Sequence, residues 1–136
     1  MDQLVNLKRD NFEGLAPHAI RNLGNTDLFS DVTLVSRDNK SVQVHKVILA
    51  SFSQKLEKIL VSNPHPNPMI YLNHIDSETL LKIKKYIYLG EVEVPSHQVF
   101  DFIKIGGDLG IVGLVEQNIE DDAFHGQIST NTEISF

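Results

Sequence analysis

The apolar residues of this chain change from an alternating pattern to a helical pattern at His45, and this change restricts the possible folds more than any other feature. Residues 31–35 and 42–44 alternate apolar and polar side chains, which predicts two short strands. The turn-rich residues 37–40 lie between them, so the strands are predicted to form a β-hairpin. From His45 to Leu60 the apolar residues follow a helical period instead, which predicts two helical pieces. The chain must therefore combine a sheet with helices.

A short extended stretch and a helix are predicted before the hairpin. Residues 4–8 (LVNLK) could pair as an edge strand. The helix that follows has Pro17 in its first turn and can end at Gly24. Its apolar residues are Leu15, Ala19, Ile20 and Leu23.

A proline-rich loop, a strand and a capped helix are predicted after the helical pieces. Residues 63–68 (NPHPNP) cannot continue a helix, because proline lacks the backbone donor. Residues 69–72 follow as a strand, and Asp76 is a good N-cap for a helix that runs to about Tyr88. Its apolar side is predicted to face the core with Leu80, Ile83, Tyr86 and Ile87, and its lysines to face away: Lys82, Lys84 and Lys85. The lysines form either a solvated surface or a docking patch for an acidic partner.

The remaining elements complete an α+β plan with a small sheet and many helices. Residues 91–94 alternate as a short strand, Pro95–Ser96 opens a helix, and a last helix covers about 108–115. Gly106–Gly110 is predicted to be a turn between those two helices. We predict one domain over residues 1–115, followed by an acidic, polar linker or tail over residues 116–136.

Charge and composition exclude several function classes. The formal net charge of -6 argues against direct nucleic-acid binding, which needs a basic surface. The chain has no cysteine, so disulfides, thiol catalysis and thiolate-bound zinc are excluded. No apolar run approaches the ~20 residues that a membrane span needs, and no signal-peptide layout opens the chain. We therefore expect an intracellular chain with no membrane partner.

No motif of catalysis or metal binding is present either. The six histidines show no HExxH spacing, and no Gly-x-Ser-x-Gly elbow occurs. We expect no enzyme activity, no catalytic residue, no metal and no cofactor.

Several separated motifs, in order, resemble the BTB/POZ domain family. They are LFSDVTL at 28–34, VHKVILA at 44–50, residues 63–64 with PMIYL at 68–72, YIYLGEVEV at 86–94, and GDLGIVGL at 107–114. The later motifs are similar to the tramtrack and bric-a-brac group of arthropod transcription factors. The resemblance covers about residues 4–114.

The resemblance implies a helical cluster capped by a small β-sheet and a strand-exchanged homodimer, with higher oligomers of dimers in this group. It places Leu4, Val5 and Leu7 in the exchanged strand. It assigns four residues to the dimer seam: Leu15, Ala19, Ile20 and Leu23. It also aligns Asp31 and Lys46 with a charged pair near the seam and its pocket. The residues themselves leave open whether that pair binds a partner, stabilises the fold or caps the helix near His45.

By the same resemblance, the chain is expected to be a self-associating module that recruits co-regulator proteins to a nuclear transcription or chromatin regulator. One alternative is a substrate adaptor of a cullin-type ubiquitin ligase. Such adaptors carry an apolar-x-Glu motif in the loop after the second long helix, and residues 61–66 (VSNPHP) lack the acid. A structural scaffold related to channel-tetramerisation domains is the third reading.

Overall fold

The structure, a computed structural model, describes residues 2–114. Its regular elements are five α-helices, three strands and one 3-10 turn. In chain order they are α1 (Phe12–Leu23), β1 (Val32–Val35), β2 (Ser41–Val44), α2 (Lys46–Phe52), α3 (Gln54–Ser62), β3 (Met69–Tyr71), α4 (Ser77–Leu89), the 3-10 turn (Ser96–Gln98) and α5 (Val99–Leu109). The predicted tail, residues 116–136, lies outside the described residues.

The three strands form one sheet in the order β2-β1-β3. β1 pairs antiparallel with β2, with Val32 opposite Val44, which confirms the predicted hairpin. β1 pairs in parallel with β3, with Leu34 opposite Ile70. The chain between β1 and β3 passes through β2, α2 and α3, which supplies the long crossover that a parallel pair requires. β3 lies at one edge of the sheet.

Every α-helix except α1 contributes fully buried side chains to the core, and α1 adds the partly buried Ile20 and Leu23. The fully buried side chains include Leu49, Leu56, Leu80 and Ile103, which come from four different helices. The predicted N-cap Asp76 is confirmed, because its carboxylate accepts the backbone N–H of Thr79 at 2.8 Å. Ser53 ends α2 and caps α3, since its Oγ accepts the N–H of Leu56. A single serine thereby divides the long helical stretch into the two predicted pieces.

The first helix begins earlier than its sequence predicts. α1 starts at Phe12, and Pro17 therefore lies inside it rather than in its first turn. Asn11 precedes the helix in a left-handed conformation, with φ 55°. Proline removes one backbone donor in the helix interior, so the residues ahead of Pro17 lack one helical hydrogen bond.

The C-terminal part also differs from its prediction. α5 continues through Gly106 and Gly107 to Leu109, so the predicted turn and the predicted helix over 108–115 are both wrong. Gly110 ends α5 with φ 66°, a left-handed conformation that glycine adopts without strain. Ile111 then forms an isolated antiparallel bridge with Ser53. These contacts fasten the end of α5 to the junction between α2 and α3.

Lys84 of α4 does not face away from the core as predicted. The Lys84 ammonium donates to the backbone carbonyl of Gln43 at 3.0 Å and lies 5.7 Å from the centre of the Tyr88 ring. Lys82 is partly buried, and only Lys85 is exposed. The predicted continuous lysine surface on α4 is therefore reduced to one exposed side chain.

Candidate self-association surface

The N-terminal segment carries apolar side chains into solvent. Leu4, Val5 and Leu7 are 100%, 76% and 88% exposed. Residues 2–9 have no regular secondary structure, and their backbone makes no hydrogen bond to another described residue. The predicted strand is therefore not formed within one copy of the chain. A strand needs a partner ladder, and no described segment of the same copy provides one.

Helix α1 divides the predicted seam residues into two pairs. Leu15 and Ala19 are exposed. Ile20 and Leu23 are partly buried and pack against the core of the same copy. The end of α1 approaches α4 closely, because a Cβ added at Gly24 would lie 2.9 Å from the Cβ of Tyr88. The first pair is exposed within one copy, the second pair is partly exposed, and the role of all four residues at a dimer seam stays a prediction.

Residues 91–94 form no strand in one copy, contrary to the prediction. Their burial nevertheless alternates, with Val92 and Val94 partly buried and Glu91 and Glu93 exposed. No hydrogen bond joins the backbone of these four residues to another described residue. Alternating burial is the mark of a strand that lies on a core. Residues 91–94 therefore have the alternation of a strand but lack the backbone hydrogen bonds to a neighbouring strand.

Asp31 acts as a cap on α2. Its Oδ1 accepts the backbone N–H of Lys46 at 2.8 Å. The Lys46 ammonium instead donates to the carbonyl of His65 at 2.7 Å. Within residues 2–114, no ion pair joins the two side chains. The structure thus uses the predicted pair for capping and for holding the proline-rich loop, as the capping interpretation expects. A role of Asp31 and Lys46 in binding a partner stays a prediction.

Further apolar side chains are exposed that the sequence analysis did not assign to a surface. Phe29 is 84% exposed and adopts a left-handed backbone conformation with φ 65°. Met69 and Tyr71, on the edge strand β3, are also exposed. Alternation predicts a strand but not whether it lies at an edge, so no sequence signal separates these residues from core positions.

Residues 2–114 show neither a metal-binding cluster nor a membrane-spanning helix. That range holds no group of three or more histidine, cysteine, aspartate or glutamate side chains able to bind a metal ion. None of its helices has the length and apolar character needed to cross a membrane. The histidine with the fullest set of contacts, His45, is buried and binds protein atoms.

A family model and several known proteins match this chain. The sequence model of the BTB/POZ domain matches residues 20–122. The chain is 31% identical to the Broad-complex core protein of Drosophila melanogaster, over 88% of this chain and 16% of that protein. It is also 31% identical to the Longitudinals lacking protein-like of the same organism, over 85% of this chain and 90% of that protein. The chain spans only 12% of another relative, Protein abrupt, at 32% identity.

Solved structures share the fold. The BTB domain of zebrafish PATZ1 superimposes with a TM-score of 0.72 at 15% identity, over 88% of this chain and 99% of that one. The BTB domain of human Gigaxonin superimposes with a TM-score of 0.64 at 25% identity, over 81% of this chain and 89% of that one. The predicted helical cluster with a small sheet is thereby confirmed.

Proposed function

The chain belongs to the BTB/POZ domain family, and from this membership we propose that it is a homodimerising protein–protein interaction module of a nuclear transcription or chromatin regulator. Its relatives Broad-complex, abrupt and tramtrack are transcription regulators. The module brings two copies of its parent protein together and recruits co-regulator proteins. Two linked DNA-binding arms bind more tightly than one, without any new base contact.

The proposed dimer is supported above all by the N-terminal segment, because its apolar side chains are exposed to solvent in one copy. Leu4 and Leu7 are almost completely exposed within one copy. Exposed apolar groups of this size gain ~1.5–3 kcal/mol each when they are fully buried. A second copy that covers them would supply this free energy.

The two unpaired backbone segments of one copy suggest how the strands are exchanged. Residues 91–94 have the alternation of a strand, and the segment around Leu4–Leu7 has none of its backbone bonds met by described residues. We assign 91–94 as the site where the N-terminal segment of the second copy adds a strand. Strand addition supplies main-chain hydrogen bonds, while Val5 and its neighbours give the pairing its register.

The exposed side of α1 extends this dimer surface. Leu15 and Ala19 lie on it, and a two-fold axis would place the helix against its counterpart. Ile20 and Leu23 pack on the core of their own copy and so hold α1 in place at the seam. An obligate dimer of this kind buries roughly 2,000 Å² or more in total.

A role as an adaptor of a cullin-type ubiquitin ligase is less well supported. The loop between α3 and β3 lacks the acidic residue that the adaptor motif requires. The Lys46 ammonium donates to the same loop, at the carbonyl of His65.

The proposed dimer is tested by the solution mass of the purified chain. Light scattering is expected to give twice the mass of one chain, or a multiple of that value, at all practical concentrations. The double variant Leu4→Asp with Leu7→Asp is expected to lower the mass towards one chain. The control, Val61→Asp, changes an apolar residue on α3 that is 75% exposed and is expected to leave the mass unchanged.

Hydrogen exchange of the backbone amides gives a second readout. The amides of residues 91–94 are expected to exchange slowly in the wild-type dimer and quickly in the double variant, because the variant loses the added strand. A wild-type chain that stays monomeric, with rapid exchange at 91–94, would contradict the proposed dimer.

A further inference from the structure

The edge strand β3 has backbone groups that no described residue satisfies. Its inner side is fixed by two hydrogen bonds that flank the ladder: Thr33 N–H donates to the Pro68 carbonyl at 3.0 Å, and Leu72 N–H donates to the Val35 carbonyl at 2.8 Å. Successive residues of a strand point their backbone groups to opposite sides. Pro68, Ile70 and Leu72 therefore point towards β1.

The same alternation places the backbone groups of Met69 and Tyr71 on the outer side. Neither residue makes a backbone hydrogen bond to a described residue beyond the β1–β3 ladder. Their side chains share one face and are 71% and 54% exposed. The outer edge of β3 thus offers two donors, two acceptors and two exposed apolar side chains.

β3 is short and follows Pro68, both of which limit pairing, but no aspartate, glutamate, lysine or arginine lines the groove beside it. Proteins protect open edges with charged side chains, above all lysine. Beside β3 lies a groove of about 490 Å³, whose other lining residues are Ile59, Leu60, Asn63, His65 and Asn67 with Pro68. The whole chain carries a formal charge of -6, so a neutral edge is a place where two copies meet without repulsion.

The length of the free edge fits a second copy of itself. Pro68 has no backbone N–H, and its carbonyl accepts from Thr33 of β1. The N–H of Leu72 donates to the carbonyl of Val35, also in β1. The backbone leaves the extended conformation at Asn67, which lies in a bend, and at Asn73, which lies in a turn, so the outward edge of β3 is limited to Met69 and Tyr71. In an antiparallel pair centred on Ile70, Met69 faces Tyr71 of the second copy and Tyr71 faces its Met69. This register satisfies all four outward groups and places a methionine sulfur beside an aromatic ring twice.

We propose that the outer edge of β3 is a self-pairing surface, through which Met69–Tyr71 of one copy binds Met69–Tyr71 of another in antiparallel register. This surface is separate from the N-terminal segment and from the exposed side of α1. Edge pairing gives assemblies larger than two copies only if the chain is also the homodimer proposed above. Each dimer then carries two such edges, and repeated pairing joins dimers into a closed ring or an open filament.

The absence of cysteine makes the register directly testable. Facing residues of a hydrogen-bonded antiparallel pair have Cα atoms ~5.5 Å apart, which a disulfide can bridge, whereas diagonal neighbours are ~7–8 Å apart. The purified single variants Met69→Cys and Tyr71→Cys, one of them lengthened by a tag, are oxidised mildly, separately and as a mixture. The expected result is a cross-linked pair of unequal chains in the mixture and little cross-linking in either variant alone. The control Val112→Cys, also exposed, is expected to give no cross-link with either.

A charge variant measures the consequence for assembly. Met69→Lys with Tyr71→Lys places lysine opposite lysine in both facing pairs, and the mass of assemblies above two copies is expected to fall to that of two. Phe100→Lys with Val112→Lys adds the same charge at exposed residues on α5 and beyond it, and is expected to keep the wild-type mass.

The outcomes separate this inference from the proposed dimer. No cross-link in the mixture, or equal cross-linking in each variant alone, overturns the edge pairing even when the wild-type chain is a dimer. Assemblies above two copies that survive the lysine substitutions overturn it as well. A wild-type chain that cross-links across β3 but shows no protection at residues 91–94 contradicts the proposed strand exchange and supports the edge pairing.

Discussion

The Nδ1 atom of His45 lies 2.7 Å from the hydroxyl oxygen of Tyr88, which also accepts the backbone N–H of His45 at 2.9 Å. The second ring nitrogen, Nε2, lies 2.8 Å from the carbonyl oxygen of Leu28. A carbonyl can only accept, so Nε2 carries the proton. In the neutral ring Nδ1 is then the acceptor, and the Tyr88 hydroxyl donates to it.

This arrangement connects three distant parts of the chain. His45 is the residue that precedes α2, Tyr88 is near the end of α4, and Leu28 begins the exposed turn that carries Phe29. Both His45 and Tyr88 are buried, so each donor and acceptor in the set needs a protein partner.

Removing the Tyr88 hydroxyl is therefore expected to destabilise the fold. Tyr88→Phe leaves the backbone N–H of His45 and its Nδ1 without partners, and should lower the free energy of unfolding by about 1–3 kcal/mol. Urea denaturation at a fixed chain concentration measures this loss. Tyr71→Phe, at an exposed tyrosine, serves as the control and should change the stability by less than about 0.5 kcal/mol. Equal stability of the two variants would contradict the assigned hydrogen bonds.

Tyr88 should also affect how the stability of the fold depends on pH above pH 10. Burial raises the pKa of Tyr88 to about 12, with the hydrogen bond from His45 N–H acting against it and the charge of Asp31 adding to it. A tyrosine whose folded pKa exceeds its ordinary value of 10.0 stabilises the fold below pH 10 and loses that contribution as the pH rises towards 12. Melting temperatures of the wild type and of Tyr88→Phe are expected to converge over this interval. Parallel curves would show that Tyr88 does not titrate differently in the two states.

An acidic counterpart lies at the hairpin turn. Asp38 accepts the side-chain hydroxyl of Ser77 at 2.7 Å, the backbone N–H of Ser77 at 2.8 Å and the hydroxyl of Ser36 at 2.7 Å. Hydrogen bonds from the Ser77 and Ser36 side chains lower the pKa of Asp38 from 3.8 to about 2. The ionised carboxylate thus ties the turn between β1 and β2 to the beginning of α4.

Because the folded pKa of Asp38 is depressed, its contribution is present above pH 3.8 and is lost as the pH falls to about 2. Asp38→Asn should therefore melt below the wild type at pH 7 and approach it as the pH falls through this interval. Thermal melts between pH 7 and pH 2 measure the difference. A gap that stays constant over that range would rule out the carboxylate charge as its cause.

Two adjacent glycines of α5 should respond oppositely to alanine. A Cβ at Gly106 would clash with Cδ2 of Leu114, which is completely buried, so Gly106→Ala should destabilise by about 1–3 kcal/mol. A Cβ at Gly107 meets nothing within 4 Å, and Gly107→Ala should stabilise by about 0.5–1 kcal/mol through its higher helix propensity. Urea denaturation of both variants measures the sign directly. The same sign for both would mean that Leu114 does not pack on Gly106.

The exposed side of α1 offers a test of the proposed seam. Leu15→Asp should weaken the homodimer by roughly 30-fold or more, because a desolvated central apolar residue is typically worth at least ~2 kcal/mol at an interface. Sedimentation over a dilution series measures the dissociation constant. Leu23→Asp would not separate assembly from folding, since Leu23 packs on the core of its own copy. An unchanged dissociation constant for Leu15→Asp would exclude this side of α1 from the seam.

The errors of the sequence analysis share one physical origin. The pattern at residues 91–94 correctly indicates two inward valines, but a strand exists only where another segment completes its ladder. Lys84 has the sequence context of a surface lysine, and its ammonium nevertheless binds the carbonyl of Gln43, 41 residues away. Gly106 and Gly107 resemble a turn because glycine disfavours helix, yet the packing of Leu114 requires a helical residue without a side chain at Gly106.

The hairpin, the two helical pieces after it and the capped helix from Ser77 could be predicted from sequence alone. They follow from local periods and from residue types at fixed spacings, which act over a few neighbouring residues. The family was indicated by the resemblance of several motifs in order. The folded structure was needed to show which apolar residues stay exposed, that Asp31 caps α2, and that Tyr88 is buried against His45, a residue 43 positions away. Burial and hydrogen-bond partners depend on segments that meet only when the chain folds, so no local pattern contains them.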